Sequence, residues 1–307
     1  MAMNRMLVVG GQGFIGRTLC RIAQMRGFSV TSLSLHSPIS PLEGGTYIVG
    51  NLSDRESIKQ VLAGKKFDYL VNCGGYIDHR FYFSGGRDII QAHFEGVQNL
   101  LDAVDRNCLK RFVQIGSSDE YGAAAAPQSE TAREAPISPY SLSKVASTHF
   151  LQMLWRTEYF PAVTLRLFLT YGAGQDGRRF LPQIIRGCLQ NRRFPVSKGE
   201  QLRDFCHIDD VVEGIFRALE VPGVCGRVVN LASGTPVTIR FMVEQVSAIV
   251  GQGKPDFGQI PYRAGENMAL WADINLARKL LDWEPQVALV EGLARTIEYY
   301  RSEEGAI

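Results

Sequence analysis

One stretch near the start leaves few architectures open. Met6-Leu7-Val8-Val9 is a short apolar run that stops at Gly10-Gly11-Gln12-Gly13-Phe14-Ile15-Gly16, and a helical pattern follows to about residue 26. A buried strand that ends in glycines spaced three apart and then enters a helix is the βα turn that holds a dinucleotide's phosphates. Gly10 makes the tight turn. Gly13 lets the backbone approach a pyrophosphate, which rests on the helix N-terminus at Phe14 and Ile15. Gly16 lets helix and strand pack closely.

The pattern of that first unit recurs. Strands are expected over residues 28–35, 47–49, 67–73, 111–115 and 162–169, with helices over about 86–107 and 140–159. Ser53-Asp54-Arg55-Glu56 reads as a capping box that opens a further helix. Strands alternating with helices at this spacing imply a parallel sheet covered on both faces, an α/β fold of the Rossmann-type, doubly wound kind. Beyond Tyr171 the alternation loosens. The expected division is a dinucleotide-binding core of residues 1–172 with 207–232, and a smaller, discontinuous C-terminal substrate lobe of residues 173–206 with 233–307.

Ligands of such sheets bind at the carboxyl ends of strands. At the end of the second strand an NAD site usually carries an acid for the ribose hydroxyls. Here the residues are Ser32-Leu33-Ser34-Leu35-His36-Ser37. A carboxylate would repel a 2′-phosphate, whereas Ser34 and His36 would accept one. NADP(H) is therefore the expected cofactor, with NAD(H) as the alternative. Asn51 and Leu52 end the third strand, where an adenine would rest. Cys73-Gly74-Gly75 is small enough to pass close under a cofactor.

The candidate chemistry lies in Tyr140-Ser141-Leu142-Ser143-Lys144. Ser138 is a good N-cap and Pro139 suits the first helical position. A tyrosine and a lysine four apart then share one helix face. A free phenol has a pKa of about 10, and an ammonium one turn away lowers it, which makes the pair a usable general acid/base. The plain reading is an amphipathic surface tyrosine beside a solvated lysine. On the pentapeptide alone that reading prevails.

Composition excludes other classes. A formal net charge of +2 gives no reason to expect nucleic acid or an anionic membrane as partner. The six cysteines contain no C-x-x-C pair, which argues against a zinc site or a disulfide framework and fits a reducing compartment. No segment approaches about 18 uninterrupted apolar residues, the length of a membrane span. These features together suggest a cytoplasmic enzyme.

With these pieces in register the chain resembles the extended short-chain dehydrogenase/reductase family: nucleotide-sugar epimerases, dehydratases and ketoreductases. The likeness covers nearly the whole chain. It rests on the glycine turn, Tyr140-x-x-x-Lys144, a serine at the fifth strand end, Arg203-Asp204-Phe205 before Ile208-Asp209-Asp210-Val211, and Asp273-Ile274 through Trp283-Glu284-Pro285. Their order is more specific than any one of them. The resemblance implies that Tyr140 passes a proton to or from a sugar hydroxyl. It implies that Lys144 holds the nicotinamide ribose and lowers the tyrosine's pKa. A serine should hydrogen-bond the reacting oxygen: Ser118 when counted from the strand, Ser117 when counted back from Tyr121-Gly122. Arg203 should pair with a substrate diphosphate, and Arg263 is a second candidate. Leu169 stands where the family often has an asparagine.

Asp119 and Glu120 divide the members of the family. An adjacent acid and base would serve a 4,6-dehydratase. The loop also resembles the Ser-Ser-Glu-Glu-Tyr-Gly stretch of 4-keto-6-deoxy nucleotide-sugar reductases, in which case the two residues shape the loop or touch the sugar. The expected activity is NADPH-dependent reduction of the 4-keto group of a 4-keto-6-deoxy nucleotide-diphosphate sugar, in a homodimer. The alternatives are a 4-epimerase, a 4,6-dehydratase with bound NAD, and a non-catalytic nucleotide-binding regulatory protein.

Overall fold

Strand β1 (Arg5–Val9) sends Met6 and Val8 into one hydrophobic core and Leu7 and Val9 into another. Side chains of a strand point alternately to its two faces, so an unbroken apolar run needs cover on both. The computed structural model, which describes residues 3–262 and 266–305, supplies that cover. After β1 come α1 (Phe14–Met25), β2 (Ser29–Ser34), β3 (Thr46–Val49), α2 (Arg55–Leu62), β4 (Tyr69–Asn72), α3 (Gly86–Ile90), α4 (Gly96–Ala103), β5 (Arg111–Ser117), α5 (Pro139–Glu158), β6 (Ala162–Leu167) and β7 (Leu169–Tyr171). The second half adds α6 (Phe180–Leu189), β8 (Arg193–Val196), β9 (Leu202–His207), α7 (Ile208–Glu220), β10 (Val228–Leu231), β11 (Pro236–Thr238), α8 (Ile239–Val250), β12 (Lys254–Phe257), β13 (Ala269–Leu270), α9 (Asn275–Leu281) and α10 (Leu289–Gly305).

Seven strands form one sheet in the order β10-β6-β5-β4-β1-β2-β3, with every neighbouring pair parallel. This is the Rossmann-type, doubly wound architecture. Leu19 and Ala23 of α1 and Val211 and Ile215 of α7 fill one face. Ile58 of α2, Leu100 of α4 and Leu151 of α5 fill the other. Each fully buried Leu, Ile or Val among them contributes about 1.5–3 kcal/mol. The strand order reverses between β1 and β4, so the crevice for a ligand opens past their carboxyl ends. Gly10 and Cys73 lie there. A smaller sheet is built on β9, which pairs with β7, β11 and β13, while β8 pairs with β12. Helices α6, α8 and α10 close over a third core that contains Leu181, Ile185, Met242, Val246 and Leu293.

The start of α5 is as the sequence predicts. Ser138 Oγ accepts the Ser141 N–H at 3.1 Å, Ser141 Oγ accepts the Ser138 N–H at 2.9 Å, and Pro139 fills the first turn. Other boundaries differ. The helix expected over 86–107 is broken by a π turn at Gln91–Glu95. Helix α2 is capped by Asp54, whose carboxylate accepts the Ser57 N–H at 3.0 Å, because Asn51 Oδ1 already accepts the N–H of Ser53. The strand expected over 162–169 divides at Phe168, and β7 leaves the main sheet to pair with β9. Among the described residues no helix is long and apolar enough to cross a membrane.

Candidate active site

The glycine turn forms a phosphate cradle. Gly10 has φ +71°, in the left-handed region, and an added Cβ would stand 2.9 Å from the Cys73 carbonyl oxygen. A Cβ on Gly16 would come within 2.2 Å of the Gly10 oxygen. Helix α1 begins at Phe14 with Gly13 as its N-cap and no side chain capping the first turn. The N–H groups at Phe14, Ile15 and Gly16 therefore point their partial positive charge at whatever anion lies before them. A dinucleotide's diphosphate fits that cradle.

The far rim is more open. Ser34 Oγ accepts a long bond of 3.4 Å from the Gln12 N–H. His36 is exposed, and its backbone carbonyl accepts from the Gln12 side-chain amide. Asn51 is exposed and bonded to its own chain, while the Leu52 carbonyl accepts from Asn99 Nδ2 at 2.8 Å. Gly74 packs by Leu52. Gly75 has φ +116°, and a Cβ there would lie 2.2 Å from His93 Cε1.

The catalytic corner is closed. Tyr140 is buried, at 5% exposure, between the edges of the His79 and His93 rings, 5.6 and 5.1 Å from its centre. Burial holds its phenol well above the ordinary value; the Asp119 carboxylate adds to this, and the Ser117 hydroxyl opposes it. Ser117 is thus the serine that acts on the phenol, which favours the count back from Tyr121-Gly122 over the count from the strand. Strand β5 runs two residues further than expected, through Ser117, and Ser118 opens the 3-10 turn Ser118–Tyr121.

Lys144 Nζ donates to the Ile115 carbonyl at 2.8 Å and stands 5.8 Å from the Tyr140 ring centre. Burial pushes Lys144 down to about 8, with Glu120 and Cys73 pulling the other way. Whatever Lys144 contributes, burial outweighs it, and the phenol stands above its ordinary value. The Lys144 ammonium is held at the end of β5, and desolvation of Tyr140 dominates. A phenol so buried keeps its proton at neutral pH.

Glu120 does not face the cleft, which corrects its assignment to the substrate. It is fully buried, because the 3-10 turn folds it back under β5. Its carboxylate accepts the Ser117 N–H at 2.9 Å, Thr148 Oγ1 at 3.0 Å and Arg166 Nε at 2.9 Å. Asp119 is the carboxylate that looks outward. His79 lies 3.7 Å from it, and burial raises its pKa against the pull of His79, Arg203 and Arg179. Arg203 is largely buried on β9 and paired with Glu266. Arg263 lies outside the described residues.

Sequence reasoning missed His79, His93, Arg166, Arg179 and Glu266. Burial and the nearby Lys144 ammonium push His93 down to about 3, so it is neutral and its Nε2–H donates to the Tyr76 carbonyl at 2.8 Å. The π turn that delivers it left no mark in the apolar pattern. Arg166 did leave one: an arginine within the otherwise uncharged run Ala162–Leu167 demands a buried partner.

The chain belongs to the NAD dependent epimerase/dehydratase family, whose sequence model matches residues 6–232. Relatives extend along its whole length. A dTDP-glucose 4,6-dehydratase of Streptomyces niveus is 28% identical over 97% of this chain and 93% of its own. A Bacillus subtilis protein described as an uncharacterized UDP-glucose epimerase is 28% identical over 97% of this chain and 98% of its own. Among solved structures, MoeE5 in complex with UDP-glucuronic acid and NAD is 26% identical, with a TM-score of 0.88 and coverage of 98% of this chain and 100% of that one. The UDP-glucose 4-epimerase of Thermotoga maritima shares the fold at a TM-score of 0.88 and 24% identity, over 98% of this chain and 99% of that one.

Proposed function

We propose that this chain reduces the 4-keto group of a 4-keto-6-deoxy nucleoside-diphosphate sugar with NADPH. The observation that carries the reading is the burial of Glu120. Eliminating water across C5 and C6 takes an acid and a base together at the sugar. With Glu120 enclosed by Ser117, Thr148 and Arg166, Asp119 alone of that adjacent pair faces the cleft. Chemistry at C4 remains.

When bound, the reduced nicotinamide supplies the hydride that adds to C4. Tyr140, kept protonated by burial, gives its proton to O4. Ser117 donates to the same oxygen, so two donors stand ready where charge develops. Lys144 holds the nicotinamide ribose. Arg203 grips the diphosphate, for which a guanidinium fork is well shaped. Residues 173–206 with 233–307 shape the sugar pocket. The preference for NADPH rests on Ser34 and His36, where an acid would repel a 2′-phosphate.

A second reading is a 4-epimerase that retains NAD, favoured by the end-to-end match to the Bacillus subtilis protein described as an epimerase. One experiment separates the readings: purified protein is given NADPH and a panel of nucleotide sugars with and without a 4-keto group. Oxidation of NADPH with the keto sugars alone is the expected result. Interchange at C4 without net oxidation makes it an epimerase. Loss of water from a 4-hydroxy sugar overturns the argument from Glu120.

A further inference from the structure

We propose that Glu120 and Arg166 are positioning residues that set the Ser117 hydroxyl against the Tyr140 phenol. The inference rests on the reading that these two side chains handle the reacting oxygen. The Glu120 carboxylate joins all three elements of the corner. It accepts the Ser117 N–H at the end of β5, Thr148 Oγ1 on α5, and Arg166 Nε on β6. Thr148 lies eight residues after Tyr140, two turns along the same helix. Arg166 is itself fully buried and continues to Glu134, donating from Nη2 at 2.7 Å, while its guanidinium lies 4.6 Å from the centre of the Tyr121 ring.

The corner is shaped around this carboxylate. A Cβ on Gly116 would stand 2.6 Å from Glu120 Oε1, so the strand leaves room for it. Stability alone does not call for such an arrangement, since a well-packed apolar pair is often as stable as a buried ion pair. An apolar pair has no acceptor for the Ser117 N–H. With its backbone fixed from below, Ser117 accepts the Asp119 N–H at 3.1 Å through Oγ. That contact occupies one lone pair and leaves the single Ser117 O–H to donate to the substrate oxygen beside the Tyr140 phenol.

The test is a double-mutant cycle on the full-length protein. Glu120→Gln removes the charge, and Thr148→Val cuts the tie to α5 with little change of volume. In each variant kcat should fall about tenfold to a hundredfold, the scale of a small misplacement, with KM for the sugar nucleotide within about twofold of wild type. Added to Ser117→Ala, neither substitution should lower kcat further, because its effect passes through that serine.

A second readout needs no substrate. With 3-fluorotyrosine incorporated, the Tyr140 fluorine resonance, assigned by its loss in Tyr140→Phe, should move in Ser117→Ala and in both of the other variants. Unchanged kcat and resonance in a folded Glu120→Gln or Thr148→Val protein overturn the proposal, as does full additivity with Ser117→Ala. Normal turnover in Ser117→Ala and Tyr140→Phe would sink the catalytic reading instead, and the resonance would still decide the positioning role.

Discussion

Two ends of the same crevice are built on different principles. At the catalytic corner, Ser117, Glu120, Tyr140 and Lys144 are buried, and their polar groups engage one another or the ends of strands. At the β2 rim, Ser34 is partly exposed and His36 exposed, and Gln12 meets the Ser34 hydroxyl through a long bond and His36 through its backbone carbonyl. The corner fixes atoms to a geometry, as bond-making requires. The rim offers an open polar surface instead. Arg203 lies between these extremes: it is largely buried and already paired with Glu266, a partner that a diphosphate would displace under the proposed function.

Breaking the corner should have the largest effect. Tyr140→Phe removes the transferable proton alone, and kcat is expected to fall by about 10²–10⁴, with the fold and NADPH binding kept. Stopped-flow turnover and a cofactor titration check both parts. Near-normal turnover would falsify the assignment of Tyr140 as the acid.

The intermediate case is next. Arg203→Ala should raise the dissociation constant of a sugar nucleotide at least tenfold, since a charge-assisted contact contributes about 1.5–3 kcal/mol, and should leave NADPH binding alone. Glu266→Gln frees the arginine of its competitor and should tighten binding. Calorimetry on both variants tests this, and weaker binding in Glu266→Gln would remove the competition argument.

Lys144 gives the corner a signature in stability. Its folded pKa, about 8, lies below the ordinary 10.5, so between those values the unfolded chain binds more protons and stability rises with pH. Relative to Lys144→Met, the wild type should gain roughly 2 kcal/mol from pH 8 to pH 10. Urea unfolding of both proteins measures it; parallel curves would mean that Lys144 titrates normally.

The smallest effect is expected at the rim. NADPH should bind more tightly than NADH, and Ser34→Asp should reverse the order by repelling the 2′-phosphate, with kcat in the preferred cofactor little altered. Equal wild-type affinities for the two cofactors would leave the rim without a role in selection.

The sequence was legible where structure is local. The glycine turn and the Ser138–Pro139 cap act within one turn of chain, and both stand as read. Glu120 was misread because its meaning depends on Arg166, 46 residues away and unmarked as its partner. The weight of burial on the phenol was hidden for a related reason. Spacing places Tyr140 and Lys144 on one face, but burial and the Ile115 carbonyl decide where the ammonium goes. His93 escaped notice because a π turn shifts the register of a helix without altering its composition.

The seventh strand of the sheet has a consequence for how the protein is made. β10 pairs along the outer edge of β6, yet it follows the whole of residues 173–206 in the chain. On the ribosome, β6 therefore emerges long before its neighbour. Until Leu231 is clear of the exit tunnel, Thr164 to Leu167 present unpaired backbone at a buried-type edge, the kind that recruits other strands. The nascent lobe must pass that edge without settling on it. A chain halted just short of β10 should thus join another copy of itself more readily than the finished protein does.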